Sequence, residues 1–221
     1  MNFDPAHLRW DPSLTDTAVA PSLRGRSLAL SDIPAPPAEV WGDMRFRPWR
    51  ENDAADYATL ISDQSMWRFL PLIWPGAIDR AQAEHLITLT QDRSRHLVRA
   101  VIAGDRAVGQ VRLHWQGSPR PMANAEIDYW LTPTAQGKGI GSRMVAIFLW
   151  QALRDYPQLQ MVTIVIHRDN APSRALARRL GFVETGPKEP GSPWIQGCLM
   201  RDAAARFDWG TLALKAACNK G

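Results

Sequence analysis

Three glycines spaced two apart stand in Gln136-Gly137-Lys138-Gly139-Ile140-Gly141-Ser142, between an alternating run that ends at Leu131 and a long apolar segment of helical spacing. Glycine lets a backbone approach a ligand closely. The first free N–H groups of a helix, with the positive end of its dipole, favour an anion. The chemistry this pattern suits is the cradling of a phosphate, against the plainer alternative of a glycine-rich turn. Two common phosphate loops do not fit. A P-loop needs Gly-Lys-Ser/Thr, but Lys138 is followed by Gly139; the G-x-G-x-x-G fingerprint, read from Gly137 and Gly139, meets Ser142 at its third glycine.

The elements that must position this loop are readable on both sides. In Ala125 to Leu131, Ile127, Tyr129 and Leu131 alternate with Glu126, Asp128 and Trp130, the period of a strand with one face buried. From Gly139 to about Asp155, Ile140, Met144, Ile147, Phe148 and Leu153 keep helical spacing, and Pro157 ends the run. Gln160 to His167 is β-branched and apolar, as a buried central strand should be. A short helix follows over Ser173 to Leu180, closed by Gly181. Upstream, Met44 to Trp49 reads as a strand, and Asn52 or Asp53 offers the cap of a helix reaching Ile61. A second helical piece covers Asp63 to Phe69, the apolar loop 70–76 carries two prolines, and Asp79 to Arg93 is amphipathic. Leu97 to Ala103 and Ala107 to Trp115 form a hairpin about Gly104-Asp105-Arg106. In its second arm Val111, Leu113 and Trp115 share one face, and Gln110, Arg112 and His114 the other.

With 221 residues, 45% hydrophobic and 22% charged, the chain suffices for one good-sized core. The net charge of +4 is scattered along the sequence, which suits an anionic cofactor and equally a weak nucleic-acid contact, without a block of basic residues for specific nucleic-acid binding; charge alone does not choose. Cys198 and Cys218 form neither a metal-ligand spacing nor a disulfide framework, so no metal is expected. There is no signal-peptide pattern and no apolar run long enough to cross a bilayer, and the expectation is a cytoplasmic protein without a membrane partner. Residues 1–43 form a proline-rich arm whose apolar residues suit docking on the domain or on a second subunit. The tail from Asp202 suits a helix. The ten tryptophans fit either the buried surface of a homodimer or the core of a monomer.

Gln136, Gly139 and Gly141 give Gln-x-x-Gly-x-Gly, and Asn170-Ala171-Pro172-Ser173-Arg174-Ala175-Leu176 with Gly181-Phe182 gives Asn-x-x-Ser-x-x-Leu followed by Gly-Phe. In this order, joined by a helix and a strand, the two resemble the hallmarks of the GNAT superfamily of N-acetyltransferases. The resemblance covers about residues 44–201. The opening Arg45-Phe46-Arg47-Pro48-Trp49 and the phrase Glu126-Ile127-Asp128-Tyr129-Trp130-Leu131 resemble the RimJ/RimL type, which acetylates the N-terminal amines of ribosomal proteins and has relatives acting on other amines. The resemblance implies an α/β fold with a mixed central sheet, its two middle strands splayed to admit acetyl-CoA and helices flanking it. It implies that Leu131, Thr132, Pro133, Gln136, Gly137, Lys138, Gly139, Ile140, Gly141 and Ser142 hold the cofactor, the loop amides taking its pyrophosphate. A backbone N–H near Leu131 would polarise the thioester carbonyl, and Asn170 and Ser173 would meet the pantetheine arm.

Acetyl transfer to an amine needs a neutral attacking nitrogen, stabilisation of the oxyanion and a proton for the departing thiolate. For the base the expectation is Glu126, with Asp128 second; both share one strand face before the cradle, where a solvated face or a salt bridge to Arg112 is the alternative. Many relatives place the thiolate acid, a tyrosine, where this chain has Ala177. Ser173 is the expected substitute, competing with a role as helix N-cap after Pro172. His114 and His167 suit either the acceptor site or a structural role. The reading is an acetyl-CoA-dependent N-acetyltransferase whose acceptor is a primary amine, a protein N-terminus or a small molecule. The alternative is a catalytically inactive acyl-CoA-binding regulatory module.

Overall fold

A computed structural model describes residues 42–70, 74–115 and 123–206. Their seven strands form one sheet in the order β1-β2-β3-β4-β5-β7-β6. β1 (Met44–Arg47), β2 (His96–Ala103), β3 (Arg106–Trp115) and β4 (Asn124–Leu131) are antiparallel in succession. β5 (Met161–His167) runs parallel to β4, and β7 (Trp194–Met200) lies antiparallel between β5 and β6 (Val183–Pro187). The fold is the expected α/β one with a mixed sheet.

Each face of the sheet carries its own core. On one, α3 (Ile140–Asp155) and α4 (Ala171–Arg179) bury Met144, Ile147, Phe148, Leu176 and their neighbours against Val111, Leu113, Ile127, Val162 and Ile164. On the other, α1 (Ala54–Ile61) and α2 (Arg80–Thr90) bury Tyr57, Ile61, Ala83, Leu86 and Ile87 against Trp49, Val98, Ala100 and Ile102. The strand alternation decides this split, since Ile127, Tyr129 and Leu131 join the first core and Trp130 the second. Four tryptophans, Trp49, Trp67, Trp115 and Trp150, are buried in the chain's own core.

Local signals set the helix ends. Asp79 and Gln82 form a reciprocal capping box at the start of α2, each side chain 2.8 Å from the other's backbone nitrogen. α1 departs from expectation: it follows a 3-10 turn over Glu51–Asp53, and Asp53 makes no capping bond to it. The Asp53 carboxylate instead accepts from the Arg50 amide and the Arg47 guanidinium, because two charge-assisted bonds outweigh one cap, and it thereby ties β1 to the turn. The Leu153 carbonyl in the last turn of α3 and the Leu159 carbonyl beyond it accept from buried Arg201, at the start of the short helix α5 (Arg201–Ala204).

β4 and β5 pair only over Asn124–Ile127 and Met161–Ile164. Beyond those residues β4 continues against β3 and β5 against β7, so the middle of the sheet opens into a V. Gly109 makes the approach of β3 to β4 possible: a Cβ there would sit inside contact distance of the Trp130 carbonyl oxygen and 2.7 Å from Leu131 Cδ2. The missing side chain draws the end of β4 toward β3 and away from β5. The expectations for the arm, for the tail beyond residue 206, for Cys218 and for the centre of the loop 70–76 fall outside the described residues.

Candidate active site

The glycine loop lies at the open end of the V. After Leu131 a single 3-10 turn over Pro133–Ala135 leads to Gln136, whose Nε2 donates back to the Leu131 carbonyl at 3.0 Å. Gly137 and Gly139 both take left-handed backbone, φ 69° and 75°, which a side chain would strain. Nothing lies within 4 Å of where a Gly137 Cβ would be. Gly139 is the N-cap of α3 and has no side chain to cap it, so the first N–H groups of α3, beginning at Ile140 and Gly141, keep no side-chain cap. Lys138 and Pro133 are exposed. Ser142 and Thr132 turn inward instead: the buried Ser142 hydroxyl accepts from Arg179 Nη2 at 3.0 Å, and Thr132 Oγ1 lies 3.2 Å from Thr134 Oγ1.

The backbone of β4 is presented to the same opening. Thr132 N–H donates to the Val108 carbonyl at 2.9 Å, which makes Thr132 and Val108 a bonded pair and puts Leu131, opposite Gly109, at a non-bonded position. The alternation of an antiparallel ladder then turns the Leu131 N–H away from β3 and into the V, where β5 has already diverged.

Glu126 and Asp128 share the face of β4 opposite the glycine loop's helix, as expected, but their surroundings differ. Asp128 Oδ2 accepts from Arg112 Nε at 2.7 Å, so the salt bridge belongs to Asp128. Glu126 is 3% exposed. Burial pushes its carboxyl up to about 7; Lys188 and Arg112 pull the other way and Asp128 adds to the rise. His114 stands directly opposite Glu126 on β3, and burial lowers its imidazole below the ordinary range, so it is neutral near pH 7. His167, at the end of β5 on this face, packs between the rings of Phe69 and Trp194, at 5.7 and 5.2 Å between centroids. These three rings wall one side of the opening.

From α4 come Asn170 and Ser173. Asn170 is the N-cap, its Oδ1 accepting from the Ser173 amide at 3.2 Å, which corrects the alternative of Ser173 as cap. The helix starts at Ala171, earlier than expected, because Pro172 is tolerated in its first turn. The Ser173 hydroxyl is left for another partner and meets the Tyr129 hydroxyl at 2.7 Å. Ala177 is buried, so nothing there stands in for a tyrosine.

Sequence reasoning missed Lys188, Tyr129 as a polar group, Arg179 and Gly109. A tyrosine on the aliphatic face of a strand needs a partner for its hydroxyl, and a lone glycine within a strand marks close approach; those two signals were legible. Lys188 and Arg179 are brought in by distant segments and had none. Among the described residues no group of three or more His, Cys, Asp or Glu is placed to hold a metal ion, and no helix is long and apolar enough to cross a membrane.

Residues 43–183 match the family described as acetyltransferase (GNAT) domain. The chain belongs to this family. No curated protein sequence matches it. Among solved structures, Mycobacterium smegmatis RimJ in complex with CoA-disulfide is 18% identical, with TM-score 0.63 over 78% of this chain and 88% of that one. RimL, the ribosomal L7/L12 alpha-N-protein acetyltransferase in complex with coenzyme A, is 21% identical, with TM-score 0.63 over 74% and 97%. The Salmonella typhimurium acetyltransferase that modifies the N-terminal serine of L7/L12 is 18% identical, with TM-score 0.60 over 73% and 96%. At such identities the likeness is one of fold. The GNAT domain here also fits a CoA thioester on its own geometry: an open glycine cradle, an uncapped helix start and a strand end that has parted from β5 line one opening.

Proposed function

We propose that this GNAT domain transfers the acetyl group of acetyl-CoA to a primary amine, with the N-terminal amine of a protein as the acceptor it suits best. The observation that carries the reading is Glu126, a buried carboxyl pushed up to about 7 at the closed end of the V, on the face of β4 opposite the helix that begins at the glycine cradle. A base acts best when its pKa approaches that of the acid it deprotonates and the working pH. An α-ammonium, at about 7.7–8.0, lies about one unit above Glu126, whereas a lysine ammonium at about 10.4 lies more than three above.

Acetyl-CoA supplies a carbonyl open to attack and a thiolate that leaves. The loop amides from Gly137 through Gly141 hold its pyrophosphate, with Gln136 fixing the loop to the end of β4. Glu126 takes the proton from the incoming ammonium, leaving the nitrogen lone pair free to form the new N–C bond. The Leu131 N–H donates to the carbonyl oxygen as negative charge gathers there. The Ser173 hydroxyl gives its proton to the sulfur as the C–S bond breaks and its electron pair stays with sulfur; the second proton that the nitrogen loses as the amide forms restores the serine through water. Asp128 keeps Arg112 neutralised beside the base, and Phe69, His167 and Trp194 contact the acceptor.

The experiment is calorimetric titration with acetyl-CoA and with CoA, followed by CoA release against a panel of N-terminal peptides, lysine peptides and small amines. Binding with turnover favouring peptide α-amines is the expected result. Turnover on small amines alone replaces the acceptor, and binding without turnover on any amine gives instead an acyl-CoA-binding module, the reading that Ala177 favours. No binding removes the proposal.

A further inference from the structure

Tyr129 lies on β4 two residues beyond Ile127, the last residue of β4 that pairs with β5. Ser173 lies in the first turn of α4, the helix that follows β5. Their 2.7 Å hydrogen bond therefore joins the two halves of the sheet across the V where the strands have parted. We propose that Tyr129 is a positioning residue that donates its hydroxyl proton to Ser173 Oγ and so turns the serine's own proton toward the opening, where a thiol would lie. The inference rests on the role given above to Ser173.

Either oxygen can be the donor by distance alone. The chemistry of the two groups decides the direction. A phenol, with a pKa of about 10, is a far better donor than an aliphatic alcohol, and its oxygen lone pair, shared with the ring, is the poorer acceptor. Arg179, whose guanidinium reaches Ser142, also acts on Tyr129 as a nearby positive charge, and such a charge strengthens the phenol as a donor. Burial keeps the phenol protonated, pushing it up to about 12, so Tyr129 holds the proton it donates throughout neutral pH.

Ser173 has a competing choice. In the first turns of a helix a serine hydroxyl readily donates back to the carbonyl three or four residues earlier, here Asn170 or Asp169, and a serine so engaged offers no proton to a ligand. With Tyr129 occupying one lone pair of Oγ, the hydroxyl hydrogen is confined to the remaining directions away from the phenol. Tyr129 thus acts on the thiol only through Ser173.

The test needs no acceptor. The thiol of bound CoA is titrated by thiolate absorbance in the wild-type protein, in Tyr129→Phe, in Ser173→Ala and in the double variant, with calorimetric affinity for CoA measured alongside. A serine hydrogen bond stabilises the thiolate, so the wild type should lower the bound thiol's pKa relative to free CoA. Tyr129→Phe should weaken that thiolate stabilisation about three- to tenfold, the worth of one ordinary hydrogen bond. Ser173→Ala should lose it wholly, and the double variant should match Ser173→Ala. Ser173→Thr should keep it while Tyr129 is present. A fluorinated tyrosine at position 129, which keeps the shape and donates more strongly, should lower the thiol's pKa further, and it serves should Tyr129→Phe fail to fold. An unchanged titration in Tyr129→Phe or with the fluorinated residue, or additive losses in the double variant, overturns the inference alone. Absence of CoA binding by the wild type removes it together with the proposed function.

Discussion

Glu126 and Asp128 stand two residues apart on one face of β4, yet only Asp128 is ion-paired, 2.7 Å from Arg112, while Glu126 is buried with its carboxyl pushed up to about 7. The pairing divides their roles. The Asp128 carboxylate is engaged by the guanidinium, whereas the Glu126 carboxyl, raised by burial, accepts a proton near neutral pH. Glu126→Gln should lower kcat at least a hundredfold, and Asp128→Asn less than tenfold. The rising limb of kcat/KM near pH 7 should vanish in Glu126→Gln and persist in Asp128→Asn. Equal losses in the two variants, measured as initial CoA release against pH, would return the base to an open question.

The same carboxyl costs the fold something, and the sign follows from its direction of shift. Its folded value, about 7, lies above the ordinary 4.5, so between those values the folded state binds more protons than the unfolded state. Stability is therefore fullest below pH 4.5 and is lost as pH rises through 7. The loss amounts to about 3 kcal/mol at most by pH 8. Urea unfolding at pH 5 and pH 8 should show the wild type losing stability relative to Glu126→Gln, with the variant the more stable at pH 8. A constant difference across that range would mean that Glu126 is not raised.

Arg201 supports the helix that bears the cradle without touching it. Its Nη1 donates to the Leu153 carbonyl in the last turn of α3, at 2.8 Å, and to the Tyr156 and Leu159 carbonyls of the chain that follows, at 3.4 and 3.3 Å. Arg201→Ala should destabilise by about 2 kcal/mol, part of the lost bonding being offset by removal of a buried charge. Affinity for CoA should stay within twofold, since the other end of α3 holds the loop. A drop in affinity with unchanged unfolding would place Arg201 in the site instead.

How much was legible in the chain follows from the range of each signal. The alternation of Ile127, Tyr129 and Leu131 against Glu126, Asp128 and Trp130 foretold which residues face which core, because strand geometry is local. The glycines at 137, 139 and 141 were readable for the same reason. What the sequence left level were choices settled across the sheet. Glu126 and Asp128 look alike until Arg112 is seen to bond one of them. Ser173 reads equally as an acid and as a cap until Asn170 is seen to cap the helix and Tyr129 to take the serine hydroxyl. Asp53, expected as a cap, is drawn away by Arg47, six residues back on β1, a charge-assisted pair that helix periodicity does not reveal.

The three glycines of the loop serve different ends, which single alanines separate. At Gly139, φ 75° places any L side chain in the left-handed region, at a cost of about 1–2 kcal/mol, and relief of that strain turns the peptide plane whose N–H borders the cradle. At Gly141, inside α3, an added Cβ meets only Leu131 Cδ1 and Leu176 Cδ1, each at 3.4 Å, on the side facing the core. Alanine also favours a helix interior over glycine by about 1 kcal/mol. Gly139→Ala should therefore lose both stability and at least tenfold in CoA affinity. Gly141→Ala should keep the affinity within threefold and be as stable as the wild type or more so. Calorimetry and urea unfolding on the two proteins decide the matter: a Gly141→Ala variant that folds but no longer binds would mean that the ligand approaches α3 from its core side, which the packing of Leu131 and Leu176 forbids.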